Sequence, residues 1–129
     1  MGVTQPRSPA LEPRPLPGKA HYAEFDPVQL DLGEQSDEIR FHVAGYDWAI
    51  VQLTDIGSVT HTGNTVSVLQ SMRGETGIAF GTAVTFTTAD GISALLAVTA
   101  LGYLHVKVTT VGSGAGRVWV HVGAMRSVV

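Results

Sequence analysis

The chain has 129 residues, eight Lys or Arg against eleven Asp or Glu, a formal net charge of −3 and no cysteine. That length makes one domain with a modest hydrophobic core. The charge argues against a general nucleic-acid-binding role, and the missing thiols exclude disulfides and thiolate chemistry.

The first stretch, MGVTQPRSPALEPRPLPGKAHY, lacks the apolar centre of a secretory signal, and Pro6 stands where a myristoylation pattern wants Ser or Thr. No run of about 18 apolar residues follows anywhere, so no transmembrane helix and no membrane partner is expected. All six prolines lie between Pro6 and Pro27. Proline fixes φ and removes a backbone donor, so residues 1–30 are expected to be neither helix nor central strand but an extended N-terminal arm, the alternative being a disordered tail in the free protein. A proline-rich arm loses less entropy on docking than a flexible one. Arg7 and Arg14 are its candidate contact residues.

From residue 37 the pattern alternates. DEIRFHV places Ile39, Phe41 and Val43 on one face and Glu38, Arg40 and His42 on the other. DWAIVQLTDI follows a turn at Gly45-Tyr46, with Trp48 sharing the phase of Ile50 and therefore expected in the core. NTVSVLQSM (64–72), TAVTFTT (82–88), SALLAVTA (93–100), YLHVKVTT (103–110) and RVWVHVGAM (117–125) complete seven candidate strands. SALLAVTA is read as a buried strand and Asp90-Gly91 before it as a hairpin turn. Glycine-containing turns separate the strands, and valine and threonine suit a pleated surface. The expected fold is all-β, an antiparallel sandwich of Ig-like or jelly-roll-like type over residues 31–129, with the arm outside it.

The last two runs flank VGSGAG and read as a hairpin. In an antiparallel pair, directly opposed residues share a face. If Thr109 opposes Arg117, Lys107 lies over Trp119 as a cation–π pair and His105 opposes His121. Two histidines fall short of the roughly four ligands of a structural zinc site, and residues 91–129 contain no carboxylate side chain. Further ligands would have to come from elsewhere, such as His42 or His61. A polar contact face is the preferred reading, with Lys107, Arg117 and Trp119 as its candidate interface residues. Trp119, with its outward phase, is also the one candidate for stacking a sugar.

No G-x-S-x-G occurs, GSGAG lacks the Lys and the strand–loop–helix context of a phosphate loop, and Asp37 and Glu38 point to opposite faces of a strand. The chain is therefore expected not to be an enzyme, and no cofactor or metal is assigned. Charge is segregated: residues 21–38 hold six acids and no Lys or Arg, and residues 91–129 hold Lys107, Arg117 and Arg126 and no acid. A self-assembling module, in which an acidic segment meets a basic face of the next copy, would look like this.

The stretches GYDWAIVQLTDIGSVTHTGNTVSVLQS and LGYLHVKVTTVGSGAGRVWVHV, together spanning about residues 45–122, resemble the small β-sandwich auxiliary proteins of tailed-bacteriophage virions, of the head decoration (cement) or head-fibre type. Where that group often carries an S-x-D-G turn after the TVSV-like strand, this chain has QSMRGETG. The resemblance implies a structural virion protein on the capsid surface, made in the host cytoplasm, without catalysis. It implies a homotrimer that binds the major capsid protein and braces the shell, often through an N-terminal arm. The alternatives are a carbohydrate-binding or adhesion module of a phage fibre or tail, and a structural component of the tail or connector.

Overall fold

The computed structural model describes residues 10–35, 37–55, 64–72, 80–86, 91–92, 96–98, 102–113 and 116–126. Among them there is no helix, and the strands form two antiparallel sheets, as a β-sandwich requires. In chain order they are β1 (Arg14–Leu16), β2 (Lys19–Glu24), β3 (Val28–Asp31), β4 (Glu38–His42), β5 (Trp48–Asp55), β6 (Thr65–Ser71), β7 (Phe80–Phe86), β8 (Gly91–Ile92), β9 (Leu96–Ala97), β10 (Tyr103–Thr110) and β11 (Arg117–Met125). One sheet has the order β4-β10-β6-β7. The other runs β1-β2-β11-β5-β8, with β3 also on β11 and β9 also on β5.

Period-2 alternation supplies the two inner faces. Ile39, Phe41 and Val43 face inward from the β4 segment, Val66 and Val68 from β6, and Leu104, Val106 and Val108 from β10. Ala49, Val51 and Leu53 of β5 meet them from the other sheet, with Val118, Val120, Val122 and Ala124 of β11. Each fully buried Val or Leu contributes about 1.5–3 kcal/mol of transfer free energy. The rings of Phe25 and Phe41 meet edge to face, with centroids 5.1 Å apart, a geometry favoured by the ring quadrupoles. At one end, the buried Asn64 donates to Leu32 O (2.7 Å) and accepts from Gly112 N (3.3 Å), tying the chain after β3 to the chain after β10.

Strand pairing with the sandwich begins before residue 31. β2 pairs with the C-terminal half of β11 and β3 with its N-terminal half. Ala23, Phe25 and Leu30 are buried in the core, and Leu11 bridges to Phe41 at the edge of β4, with Leu11 N donating to Arg40 O and His42 N to Leu11 O. The prolines permit this because Pro15 sits in the edge strand β1 and Pro17 and Pro27 flank β2, which contains none. Residues 1–9, including Arg7, lie outside the described residues.

The hairpin expected from β10 and β11 is also absent, because the two strands belong to different sheets. VGSGAG is the link between the sheets, and it re-enters β11 at Gly116, whose φ of +120° is one that residues with a Cβ rarely adopt. Gly91 belongs to the short strand β8 on β5 rather than to a hairpin turn; Asp90 lies outside the described residues. Of SALLAVTA, only Leu96–Val98 is described: β9 pairs with β5 and Val98 is buried. Trp48 and Ile50 do share a face, but it is the outer one, and they are 37% and 38% exposed.

Candidate functional site

Two outer sheet faces carry the polar chemistry. On the four-stranded sheet, β10 lies between β4 and β6, so His105 has Arg40 opposite on one side and Leu69 on the other. The alternating phase that places His105 on this face also places Glu38 and Ser71 there, one pair away in opposite directions. The three side chains join. Ser71 Oγ is 2.6 Å from His105 Nε2, and His105 Nδ1 bonds to Glu38 Oε2. A neutral ring with its proton on Nδ1 satisfies both contacts, donating to the carboxylate and accepting from the serine hydroxyl.

This is the connectivity of a serine triad, which is recognised by geometry rather than by position in the chain. Its burial sets it apart from a working one. Ser71 is 0% exposed, His105 1% and Glu38 3%. Ser71 stands in the ladder opposite Tyr103, so its hydroxyl has no face open to a substrate. Glu38 Oε1 is buried without a hydrogen-bond partner among the described residues, a costly arrangement for a carboxylate. The network ties β4, β10 and β6 together across the sheet. Beside it, Ser67 Oγ and Thr109 Oγ1 are 2.9 Å apart, and at the edge His42 stacks on Tyr103, with centroids 4.7 Å apart, while its Nδ1 lies 2.9 Å from Glu12 Oε1.

On the seven-stranded sheet, the outer face of β11 presents Arg117, Trp119, His121, Gly123 and Met125, the last four opposed on β5 by Thr54, Gln52, Ile50 and Trp48 in turn. On its other side β11 changes partner from β3 to β2. Residues 25–27 make the change, and Phe25 N donating to Val122 O is the backbone bond that spans it. The break opens a groove of about 310 Å³ whose lining includes Arg14, Tyr22, Glu24, Pro27, Ile50, Gln52, His121 and Gly123. A second depression of about 270 Å³, lined by Pro27, Thr54, Trp119 and His121, adjoins it. Gly123 lies at the floor, where a Cβ would stand 2.7 Å from the Tyr22 hydroxyl and push the ring aside. Thr54 Oγ1 lies 3.0 Å from His121 Nε2 and orients the imidazole.

The interface residues read from the sequence therefore divide. Arg14, Arg117 and Trp119 lie on the seven-stranded sheet, where Arg14 is paired with Asp26 (2.9 Å) and Glu24 (3.8 Å), and Arg117 Nη1 donates to Gln29 Oε1 (3.4 Å). Lys107 lies on the other sheet, between Glu38 and Ser67, so it cannot cover Trp119. The cation–π pair found instead is Arg126 over Tyr46, 5.0 Å from the ring centroid. His105 and His121 are likewise on different sheets and cannot share a metal. No group of three or more His, Asp or Glu able to hold one is present among the described residues. Several acids of the segment 21–38 are engaged within the chain: Glu24 and Asp26 with Arg14, Glu38 with His105, and Asp37 Oδ2 accepting from Asp31 N at 2.9 Å.

Sequence reasoning missed the buried relay because it placed His105 on an exposed face; the signal available was the shared outward phase of Glu38, Ser71 and His105. No protein-family model, curated protein or solved structure matches this chain.

Proposed function

We propose that the chain is a jelly-roll structural protein of a tailed-phage virion, a capsid decoration protein that works by contact and not by catalysis. The strand order carries the fold part of this reading. Every step from β3 to β11 that joins the two sheets crosses the sandwich: β3 to β4, β4 to β5, β5 to β6, β7 to β8, β9 to β10 and β10 to β11. In that stretch, among the described residues, only β6 and β7 form a hairpin within one sheet. An Ig-like sandwich contains several within-sheet hairpins. Crossing at almost every step is the pattern of two interleaved Greek keys, the jelly roll common in viral capsid and lectin domains.

The burial of Ser71, His105 and Glu38 supports a non-catalytic role, since the best-formed nucleophile–base pair among the described residues has no open side. Residues 10–30 are committed to the sandwich, so the proposed contact with the major capsid protein falls to residues 1–9, with Arg7. The copies assemble as a homotrimer on the shell, where many modest contacts add up through multivalency.

The test uses phage heads stripped of the protein. The full chain binds them and raises their resistance to heat, and light scattering gives a trimer in solution. A variant lacking residues 2–9 keeps its circular dichroism and unfolding midpoint but binds heads more weakly. Failure of the full chain to bind heads refutes the decoration role. Undiminished binding by the truncated variant refutes the contact assigned to residues 1–9.

A further inference from the structure

From the outer face of the seven-stranded sheet we infer a binding site for a neutral oligosaccharide, running along β11 from Tyr22 to Trp119. The two depressions meet at Pro27 and His121 and differ in chemistry. At the Trp119 end, the indole, the ring of Pro27 and Thr54 form an apolar shelf. At the other end, Gln52, His121, Glu24 and Arg14 add polar groups to a mixed well floored by Gly123 and walled in part by Ile50 and Phe25. A pyranose has the same two-sided character, with a C–H face that stacks on an aromatic ring and hydroxyls at its rim that exchange hydrogen bonds. Small-ligand sites have this build, an apolar wall with a few fixed polar groups.

The polar groups in the well are available. Gln52 is exposed and its amide has no hydrogen-bond partner among the described residues. It offers two donors and an acceptor. His121 is held by Thr54 through Nε2, which leaves Nδ1 for a ligand.

Charge selects a neutral sugar. Arg14, the one Lys or Arg lining the groove among the described residues, is already shared by Asp26 and Glu24. One guanidinium against two carboxylates leaves a local excess of negative charge, which repels sialylated or sulfated glycans. An extended peptide is a poor fit as well. Strand addition needs an open sheet edge, and β11 lies inside its sheet, between β5 on one side and β3 and β2 on the other. A sugar is read by side chains alone.

The experiment titrates the full chain with maltotetraose, cellotetraose, chitotetraose and mannotetraose, and with a sialylated and a sulfated tetrasaccharide. Intrinsic tryptophan fluorescence and calorimetry are the readouts. At least one neutral tetrasaccharide should bind saturably. Trp119→Ala and Gln52→Ala should each weaken it by about tenfold or more, as expected when a stacking platform or a hydrogen-bonding group of the site is lost. Trp119→Phe should retain part of the affinity, and Lys107→Ala, on the opposite sheet, all of it. The idea is overturned by no saturable binding below about 10 mM, by preference for the anionic sugars, or by full affinity in Trp119→Ala. It is equally overturned if light scattering and crosslinking show this face covered by a second copy. None of these results depends on binding to phage heads, so the site and the decoration role stand or fall separately.

Discussion

Replacing His105 by alanine should destabilise the protein by about 3–5 kcal/mol, the usual cost of breaking a buried pair and leaving one charge uncompensated. The geometry supports a value in that range. Glu38 is 3% exposed, Oε1 has no hydrogen-bond partner, and the His105 ring is what engages Oε2. Ser71→Ala removes less. It leaves the acceptor Nε2 of a ring that is 1% exposed without its 2.6 Å contact, which costs about 1–3 kcal/mol. In the double variant the Ser71 term should largely vanish, because the nitrogen it served is gone, so the two changes couple by about 1–3 kcal/mol. The assay is urea unfolding followed by far-UV circular dichroism and by the fluorescence of Trp48 and Trp119. With a slope of about 1–3 kcal/mol per molar urea, His105→Ala should lower the midpoint by at least about 1 M. The combined change Glu38→Met, His105→Leu and Ser71→Ala should be far milder than His105→Ala alone, since an apolar cluster of similar volume replaces the buried hydrogen-bonded pair instead of breaking it. A His105→Ala midpoint within about 0.3 M of the parent protein, or strict additivity with Ser71→Ala, would refute the argument that the three side chains act as one buried unit.

Leu30→Ala, in the segment the prolines mark as an arm, should cost about 2–5 kcal/mol, because the side chain is fully buried; an unchanged unfolding midpoint would return β3 to the outside of the domain. Gly123→Ala should cost about 1–3 kcal/mol as an overpacked site. Its Cβ meets the Tyr22 hydroxyl at 2.7 Å, so the Tyr22 ring resonances should shift in NMR spectra while those of Phe41 do not. Removing residues 2–9 should leave the unfolding midpoint unchanged, whatever it does to head binding.

Much of the local structure was legible from the pattern of residues. Ile39, Phe41 and Val43 alternate with Glu38, Arg40 and His42, and the structure buries the first set as core. The same holds for Val118, Val120 and Val122 against Arg117, Trp119 and His121. Pleating makes this possible, since a strand with one buried face must write period 2 into its sequence. Period 2 says which residues travel together and not which set goes inside. In β5 both sets are apolar, Trp48 and Ile50 against Ala49, Val51 and Leu53, and packing against the opposite sheet buries the second. Nor does it say which strand is the neighbour. VGSGAG can close a hairpin or cross a sandwich, and that choice alone separates Lys107 from Trp119 and His105 from His121.

The sequence by itself determined an all-β chain, the position of most strands and the membership of each strand face, because these follow from sterics and hydrophobic periodicity over a few neighbouring residues. It also determined that prolines stay out of the sheet interior, a constraint each proline imposes on its own backbone. Only the tertiary structure decided that β2 and β3, lying between and after those prolines, complete the sheet on β11. It alone brought Glu38, Ser71 and His105 into contact from three strands, and opened a groove where β11 exchanges one partner for another. Both depend on contacts between residues far apart in the chain, whose free energies are settled by the packing of the whole molecule and leave no periodic trace in any one segment.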